Sequence, residues 1–409
     1  MKKLLAVLIA CTMIFVLVAA CATDETPAAD GATPAPEATP APEATPEPEE
    51  TDDADDADVP EAPEVADGTD LSDIRIALVA HGPESIQFDG SFNEGSWNGI
   101  LEFLDSHGLP SATHANFFQA HSPDDEARVD VMIDAIDWGA DILILPGFHF
   151  AASVYEAANL FPDTMFVVLD TRPDPGPEPA NVVSILYAEE QSGFLAGYAA
   201  VMEGYRQLGF MGGIAVPAVV RFGHGFVEGA QFAAEELGLG AGEVSINYHY
   251  VGGFAPSPEV ATMAGAWYAA GIEVIFAAAG GAGFSVISAA EDAGAWMIGV
   301  DVDQSGASPV VLTSAMKALA VSVVDMLNDF AGESFRGGNN LLFDATLDGV
   351  ALPMENSRFS NFTQAQYDAI LAQLASGAVV VSTVLPEPGG STNPNDLLDI
   401  TGITVSFIG

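Results

Sequence analysis

The chain has 409 residues, 49% of them apolar, and its 58 acidic against 10 basic residues give a formal net charge of −48. That acid excess argues against nucleic-acid polymers and anionic lipid surfaces as partners, while the length leaves room for two α/β lobes. The two cysteines, Cys11 and Cys21, both lie near the N-terminus, which excludes disulfides, thiolate metal sites and cysteine nucleophiles from everything that follows.

Residues 1–20 read as an export signal peptide. Lys2 and Lys3 precede an apolar run that ends in Leu17-Val18-Ala19-Ala20-Cys21. The run is short for a membrane span. Small residues directly before a cysteine resemble a lipobox, so acylation is expected at Cys21, anchoring the chain to the extracytoplasmic face of the cell membrane. Residues 21–73 form an acidic, Pro/Ala-rich stretch with near-copies of Ala-Pro-Glu-Ala-Thr-Pro and no lysine or arginine. It has too little apolar surface to order itself, and proline and like charges extend it. A disordered spacer is expected.

From residue 74 onward, β-type and helical patterns alternate. Strands are expected at 74–80, 112–117, 141–145, 164–170, 182–187, 210–216, 244–251, 272–279, 296–301 and 310–314. Helices are expected at 124–138, 191–205, 227–237 and 285–293. Continuous apolar runs such as Ile142-Leu143-Ile144-Leu145 fit strands covered on both faces. The alternation predicts an α/β chain of two doubly wound parallel-sheet lobes joined by a hinge. Lobe 1 is expected to hold 74–188 and 302–315, and lobe 2 to hold 189–301 and 316–409. Farther on, 341–346 and 350–352 are expected to pair across Asp348-Gly349, with a helix at 363–374 and an extended piece at 378–381. Nothing is assigned after Pro386.

Open α/β sheets bind ligands beyond the carboxyl ends of their strands, so the polar residues there carry the information. After the first strand come Asp89, Ser91, Phe92 and Asn93. Ser91 or Asn93 suits a helix cap, Asp89 and Asn93 suit hydrogen bonds to a ligand, and Phe92 suits stacking on a flat one. The plainer alternative is an ordinary N-cap turn. Asp124 follows the second strand in another polar cap. Phe148 follows the third, either as a cleft ring or as core. Gly280 and Gly281 follow the strand at 272–279, where glycine permits close backbone approach. No Walker lysine accompanies them, so phosphate binding is not expected. Asp301 ends an apolar strand, and Lys317 is the only lysine after Lys3. A carboxylate and an ammonium together can bind a pair of adjacent hydroxyls; the alternative is that Lys317 balances a helix dipole or a nearby acid. His81, His121 and His149 could serve acid–base catalysis if paired with carboxylates. No nucleophile elbow or metal-ligand helix accompanies them. Neither an enzyme nor a cofactor or metal is expected.

Six motifs appear in order: Asp89-Gly90-Ser91-Phe92-Asn93, Glu190-Gln191-Ser192-Gly193-Phe194-Leu195-Ala196-Gly197-Tyr198, Arg221-Phe222-Gly223-His224-Gly225-Phe226, Ala278-Ala279-Gly280-Gly281, Gly299-Val300-Asp301-Val302-Asp303-Gln304 and Thr313-Ser314-Ala315-Met316-Lys317. Together they resemble the basic membrane protein family, lipoproteins of ABC importers similar to purine nucleoside receptors. The resemblance covers residues 74–381. It implies a type I periplasmic-binding-protein fold, and a nucleoside held with its base between aromatic rings and its ribose on polar side chains. Carried over, Phe92 and Phe254 are the rings, Asn93 and Asp89 read the base edge or ribose, and Asp301 and Lys317 hold ribose hydroxyls. Gly280 and Gly281 allow close approach, while Ser91, Asp124, Phe148 and Phe222 complete the expected set. The implied partners are the nucleoside, an ABC permease and, through Cys21, the membrane; a monomer with no nucleic-acid partner is expected. A sensory ectodomain using the same cleft is the alternative, and an exported hydrolase a remoter one. Departures include Ala277, where many relatives carry histidine, the loop from His121 to Asp125, and Leu145-Pro146-Gly147-Phe148. These bear on ligand identity more than on fold.

Overall fold

The computed structural model describes residues 70–409; the expected signal peptide, Cys21 and nearly all of the spacer lie outside the described residues. In chain order the elements are β1 (Ile76–Ala80), α1 (Phe92–Ser106), α2 (Ser111–His114), β2 (Ala115–Gln119), α3 (Asp125–Asp137), β3 (Ile142–Pro146), α4 (Ala151–Leu160), β4 (Met165–Leu169), β5 (Val182–Tyr187) and α5 (Glu189–Glu203). Next come β6 (Gln207–Gly212), α6 (Pro217–Glu236), β7 (Ser245–Tyr250), α7 (Pro258–Ala269), β8 (Val274–Ala278), α8 (Gly283–Ala293), β9 (Trp296–Asp301) and β10 (Val311–Lys317). The chain finishes with α9 (Leu319–Ala331), β11 (Asn339–Phe343), β12 (Val350–Ala351), α10 (Gln364–Ala375) and β13 (Thr404–Phe407).

Two sheets result, ordered β11-β5-β4-β3-β1-β2 and β12-β10-β9-β8-β6-β7-β13, parallel throughout except for the short β10–β12 pair. The central strands are buried along their whole length: β1, β3 and β8 expose no residue. This is why they read as unbroken apolar runs. Helices cover both faces of each sheet, the α/β architecture that the alternation predicts.

Three differences from the sequence reading concern where the chain changes lobe. First, 302–315 does not return to lobe 1. β10 lies parallel to β9 inside the second sheet, with Val311, Leu312 and Ala315 fully buried there. The chain crosses at Ala188, at Ala318 and again over 344–349. Second, α9 and β11 belong to the first lobe: α9 lies on α1, and β11 extends the sheet beside β5. Third, the expected hairpin across Asp348-Gly349 does not form. Its two arms go to different sheets, and left-handed Asp348 (φ 52°) turns the chain back toward the second lobe.

Smaller differences follow from local chemistry. The strand expected to reach residue 216 stops at Gly212, because Pro217 begins the 20-residue helix α6. Residues 378–381 form no strand. The unassigned C-terminus supplies β13, which covers the edge of β7 from Ser245 to Tyr248. Helices α5 and α6 touch backbone to backbone. A Cβ on Gly193 would sit 2.1 Å from the Phe222 carbonyl oxygen, and one on Gly225 would sit 1.9 Å from that of Glu190. The glycines of these two motifs therefore serve helix packing.

Candidate ligand-binding cleft

A cavity of about 630 Å³ opens between the lobes. Its walls are the segments that follow the strands' carboxyl ends. The first lobe supplies His81, Asp89 and Phe92 after β1, Phe148 and His149 after β3, and Asp170 after β4. The second supplies Ile214 after β6, Phe254 after β7, Gly280 and Gly281 after β8, and the strand-terminal residues Asp301 and Lys317.

Lys317 organises one wall. Its Nζ donates to Asp170 Oδ2 at 2.6 Å and lies 3.4 Å from Asp301 Oδ1 and 3.8 Å from Glu189 Oε1. Asp301 Oδ2 accepts from Ser91 Oγ at 2.6 Å, which ties the two lobes together. Asp170 and Asp301 each end a strand in the left-handed region, at φ 62° and 68°. That conformation costs a non-glycine residue roughly 1–2 kcal/mol, and the ion pairs to Lys317 offset it. The ammonium also faces aromatic rings, 4.4 Å from the centre of Phe92 and 5.5 Å from that of Phe222. Burial alone would lower the Lys317 pKa, but the carboxylates of Asp170, Asp301 and Glu189 outweigh it and push it up. Burial, with the Asp170 charge adding to it, pushes Glu189 up to about 8. Arg221 Nη1 holds the other Glu189 oxygen at 3.3 Å. Asp170 Oδ1 is enclosed and has no hydrogen-bond partner among the described residues.

The start of α1 combines both readings of its sequence. Ser91 is the N-cap position, yet its hydroxyl goes to Asp301. Asp89 takes over the capping, accepting from the backbone N–H groups of Ser91, Asn93 and Glu94. Burial raises Asp89 to about 6 despite these bonds. Asn93 donates both amide hydrogens to Ser85 Oγ and the Ile86 carbonyl, fixing the loop. Asp89, Phe92 and Asn93 line the cavity, while Ser91 stands behind it.

A second cluster lies on the first lobe. The rings of His81 and His149 stack at 3.9 Å and 17°, and Phe148 lies 3.8 Å from His149 on a tilt. Burial, reinforced by the His81 and Arg128 charges, pushes His149 down to about 3; burial also lowers His81. Both imidazoles are therefore neutral near pH 7. The Nδ1 atom of each is enclosed and has no hydrogen-bond partner among the described residues. His121 is exposed and lines no part of the cavity.

Phe222, Phe254, Gly280 and Gly281 also line the cavity, and the two glycines border the Phe254 loop. A Cβ on Gly281 would lie 3.1 Å from the Phe254 carbonyl oxygen and 3.4 Å from Pro256 Cδ. Gly281 thus makes room for the Phe254 loop, whose carbonyl accepts from Ala282 N–H at 2.8 Å, while Gly280 takes a left-handed φ of 53°. Phe284 reaches across from the second lobe onto Gly90. A Cβ there would fall 2.5 Å from the Phe284 ring, and Gly90 itself is left-handed at φ 65°. Gln304 Nε2 donates to the Gly90 carbonyl at 2.8 Å. Asp124 stands apart: it caps α3 through Ala127 N–H, is exposed and does not reach the cavity.

The sequence reading overlooked Asp170 and Glu189. Asp170 carries the signature that singled out Asp301, a carboxylate closing the apolar run Phe166-Val167-Val168-Leu169. Glu189 follows β5 directly at the lobe crossing. Among the described residues no group of His, Cys, Asp and Glu is arranged to hold a metal ion, and no helix is long and apolar enough to cross a membrane.

An ABC transporter nucleoside-binding protein, BmpA, of Lactococcus lactis is 28% identical over 307 residues, covering 70% of this chain and 83% of its own. Basic membrane protein A of Borreliella burgdorferi is 27% identical over 299 residues, covering 72% and 84%. Among solved structures, an ABC transporter solute-binding protein of Aeropyrum pernix superposes with a TM-score of 0.65 at 19% identity, covering 79% of this chain and 96% of that one. Another, from Conexibacter woesei, gives 0.60 at 22% identity, covering 76% and 99%. These two establish the periplasmic-binding-protein-like fold. Residues 74–382 match the family described as "ABC transporter substrate-binding protein PnrA-like", and with three quarters of its length in that match the chain belongs to the PnrA-like (Bmp) family of ABC transporter substrate-binding proteins.

Proposed function

We propose that this protein binds a purine nucleoside between its lobes and presents it to the permease of an ABC importer, acting as a monomer held at the membrane by a lipid on Cys21. One observation carries the ligand class. A single cavity combines the aromatic rings of Phe92, Phe222 and Phe254 with the buried Lys317–Asp170–Asp301 group. Rings suit a flat base, and an ammonium between two carboxylates suits the paired hydroxyls of a ribose. The nucleoside-binding relative from Lactococcus lactis supports the same class. The protein works by stoichiometric capture without turnover. The stacked imidazoles lack the orienting partner of an acid–base pair: Glu84 lies 3.9 Å from His81 Nδ1, beyond hydrogen-bond reach.

Calorimetric titration of the purified protein with nucleosides, free bases, pentoses and hexoses tests the assignment. Purine nucleosides are expected to bind at one site per chain. Binding of sugars without nucleosides would overturn the ligand class and leave the fold untouched.

A further inference from the structure

The histidine stack is polar chemistry in the cleft that ribose binding and base stacking leave unused. Both Nδ1 atoms are enclosed and unpartnered, while neither Nε2 is enclosed or bonded to any of the described residues, although both residues line the cavity. A neutral imidazole carries one proton, on either nitrogen. An enclosed N–H without an acceptor is costlier than an enclosed lone pair. Glu84, the carboxylate nearest His81 Nδ1, is too distant at 3.9 Å to accept a hydrogen bond. Both protons therefore belong on Nε2. The wall thus carries two N–H donors on stacked rings whose centres are 3.9 Å apart.

Two adjacent donors call for two adjacent acceptors. A 6-oxopurine offers such a pair on one edge, O6 and N7, whereas a 6-aminopurine offers one acceptor beside an amino donor. We propose that His81 and His149 together read the O6/N7 edge of a 6-oxopurine nucleoside, and so set the preference of the cleft for guanosine- and inosine-type ligands over adenosine. This proposal rests on the nucleoside assignment above and adds the class of base. Phe148, against the far side of the His149 ring, holds the stack in place.

Titration of the full protein with inosine, guanosine, 7-deazaguanosine and adenosine at pH 7 provides the test, alongside His149→Phe and His81→Phe. The wild type is expected to prefer inosine and guanosine over adenosine by about tenfold or more, the discrimination that a bidentate base contact supplies. Loss of N7 in 7-deazaguanosine should forfeit part of that preference, and this arm needs no variant. Phenylalanine keeps a flat ring and removes the donor, so either substitution should shrink the ratio severalfold, with thermal melting confirming that the variants fold. Equal affinity for inosine and adenosine in the wild type, or an unchanged ratio in folded variants, overturns the role of the two histidines while nucleoside binding stands. Binding of no nucleoside at all overturns both readings.

Discussion

Two clusters in the cavity wall bury titratable groups in opposite ways. At Lys317 the charge is kept: the side chain is 2% exposed and is surrounded by the acidic side chains of Asp170, Asp301 and Glu189 and by the rings of Phe92, Tyr187 and Phe222. At His81 and His149 the charge is given up, and the rings stack as neutral planes. The contrast follows from partners. An ammonium with anions at 2.6 and 3.4 Å recovers its lost hydration, and an imidazole stacked on another ring, with Glu84 no nearer than 3.9 Å and the Arg128 charge opposing it, does not.

The sharpest way to break the contrast is Lys317→Met. It leaves the buried carboxylates of Asp170 and Asp301 without a cation, and loss of one partner from a buried ion pair is worth roughly 3–5 kcal/mol. Chemical denaturation of the ligand-free protein should show a loss of that order. Adding Asp170→Asn should recover part of it. A loss within experimental error would mean that the cluster reorganises freely.

Next in size is Asp301→Ala, read by calorimetry. Losing a charged hydrogen-bond partner in the cleft is expected to weaken binding of the proposed nucleoside by on the order of 1.5–3 kcal/mol. Unchanged affinity would remove Asp301 from the site.

The two clusters should also respond to pH with opposite slopes. Glu189 is raised to about 8 from an ordinary 4.5, so the folded state holds a proton that the unfolded chain has released. Its favourable contribution is present at low pH and is lost as pH rises from about 4.5 to 8. His149 is lowered to about 3 from an ordinary 6.5. Its contribution is complete above pH 6.5 and is lost as pH falls toward 3. Denaturant midpoints from pH 4 to 9 should therefore lose their alkaline decline in Glu189→Gln and part of their acid decline in His149→Phe. The smallest effect belongs to Asp124→Ala: a slightly lower melting temperature from loss of the α3 cap, with ligand affinity unchanged.

Much of the architecture was legible because strands buried on both faces announce themselves as apolar runs, as β3 and β8 do. The lobe assignment of β10 and β11 was not, since nothing local in either segment says which sheet receives it. The site divides the same way. Asp301 and Lys317 stood out as rare charges at strand ends, and they do meet. Asp170 carried the same mark and was passed over. The stack of His81 on His149 joins residues 68 positions apart, and only the β1–β3 pairing reveals it. Asp124 looked like its neighbours in the pattern, but it does not reach the cleft.

The seat of Phe284 on Gly90 makes the angle between the lobes depend on an atom that is missing. Any side chain at position 90 would act as a wedge, propping the jaws apart by about its own thickness. Grip on the cargo could then be graded by a residue that never touches it, and hand-over to the membrane channel hastened at the expense of retention.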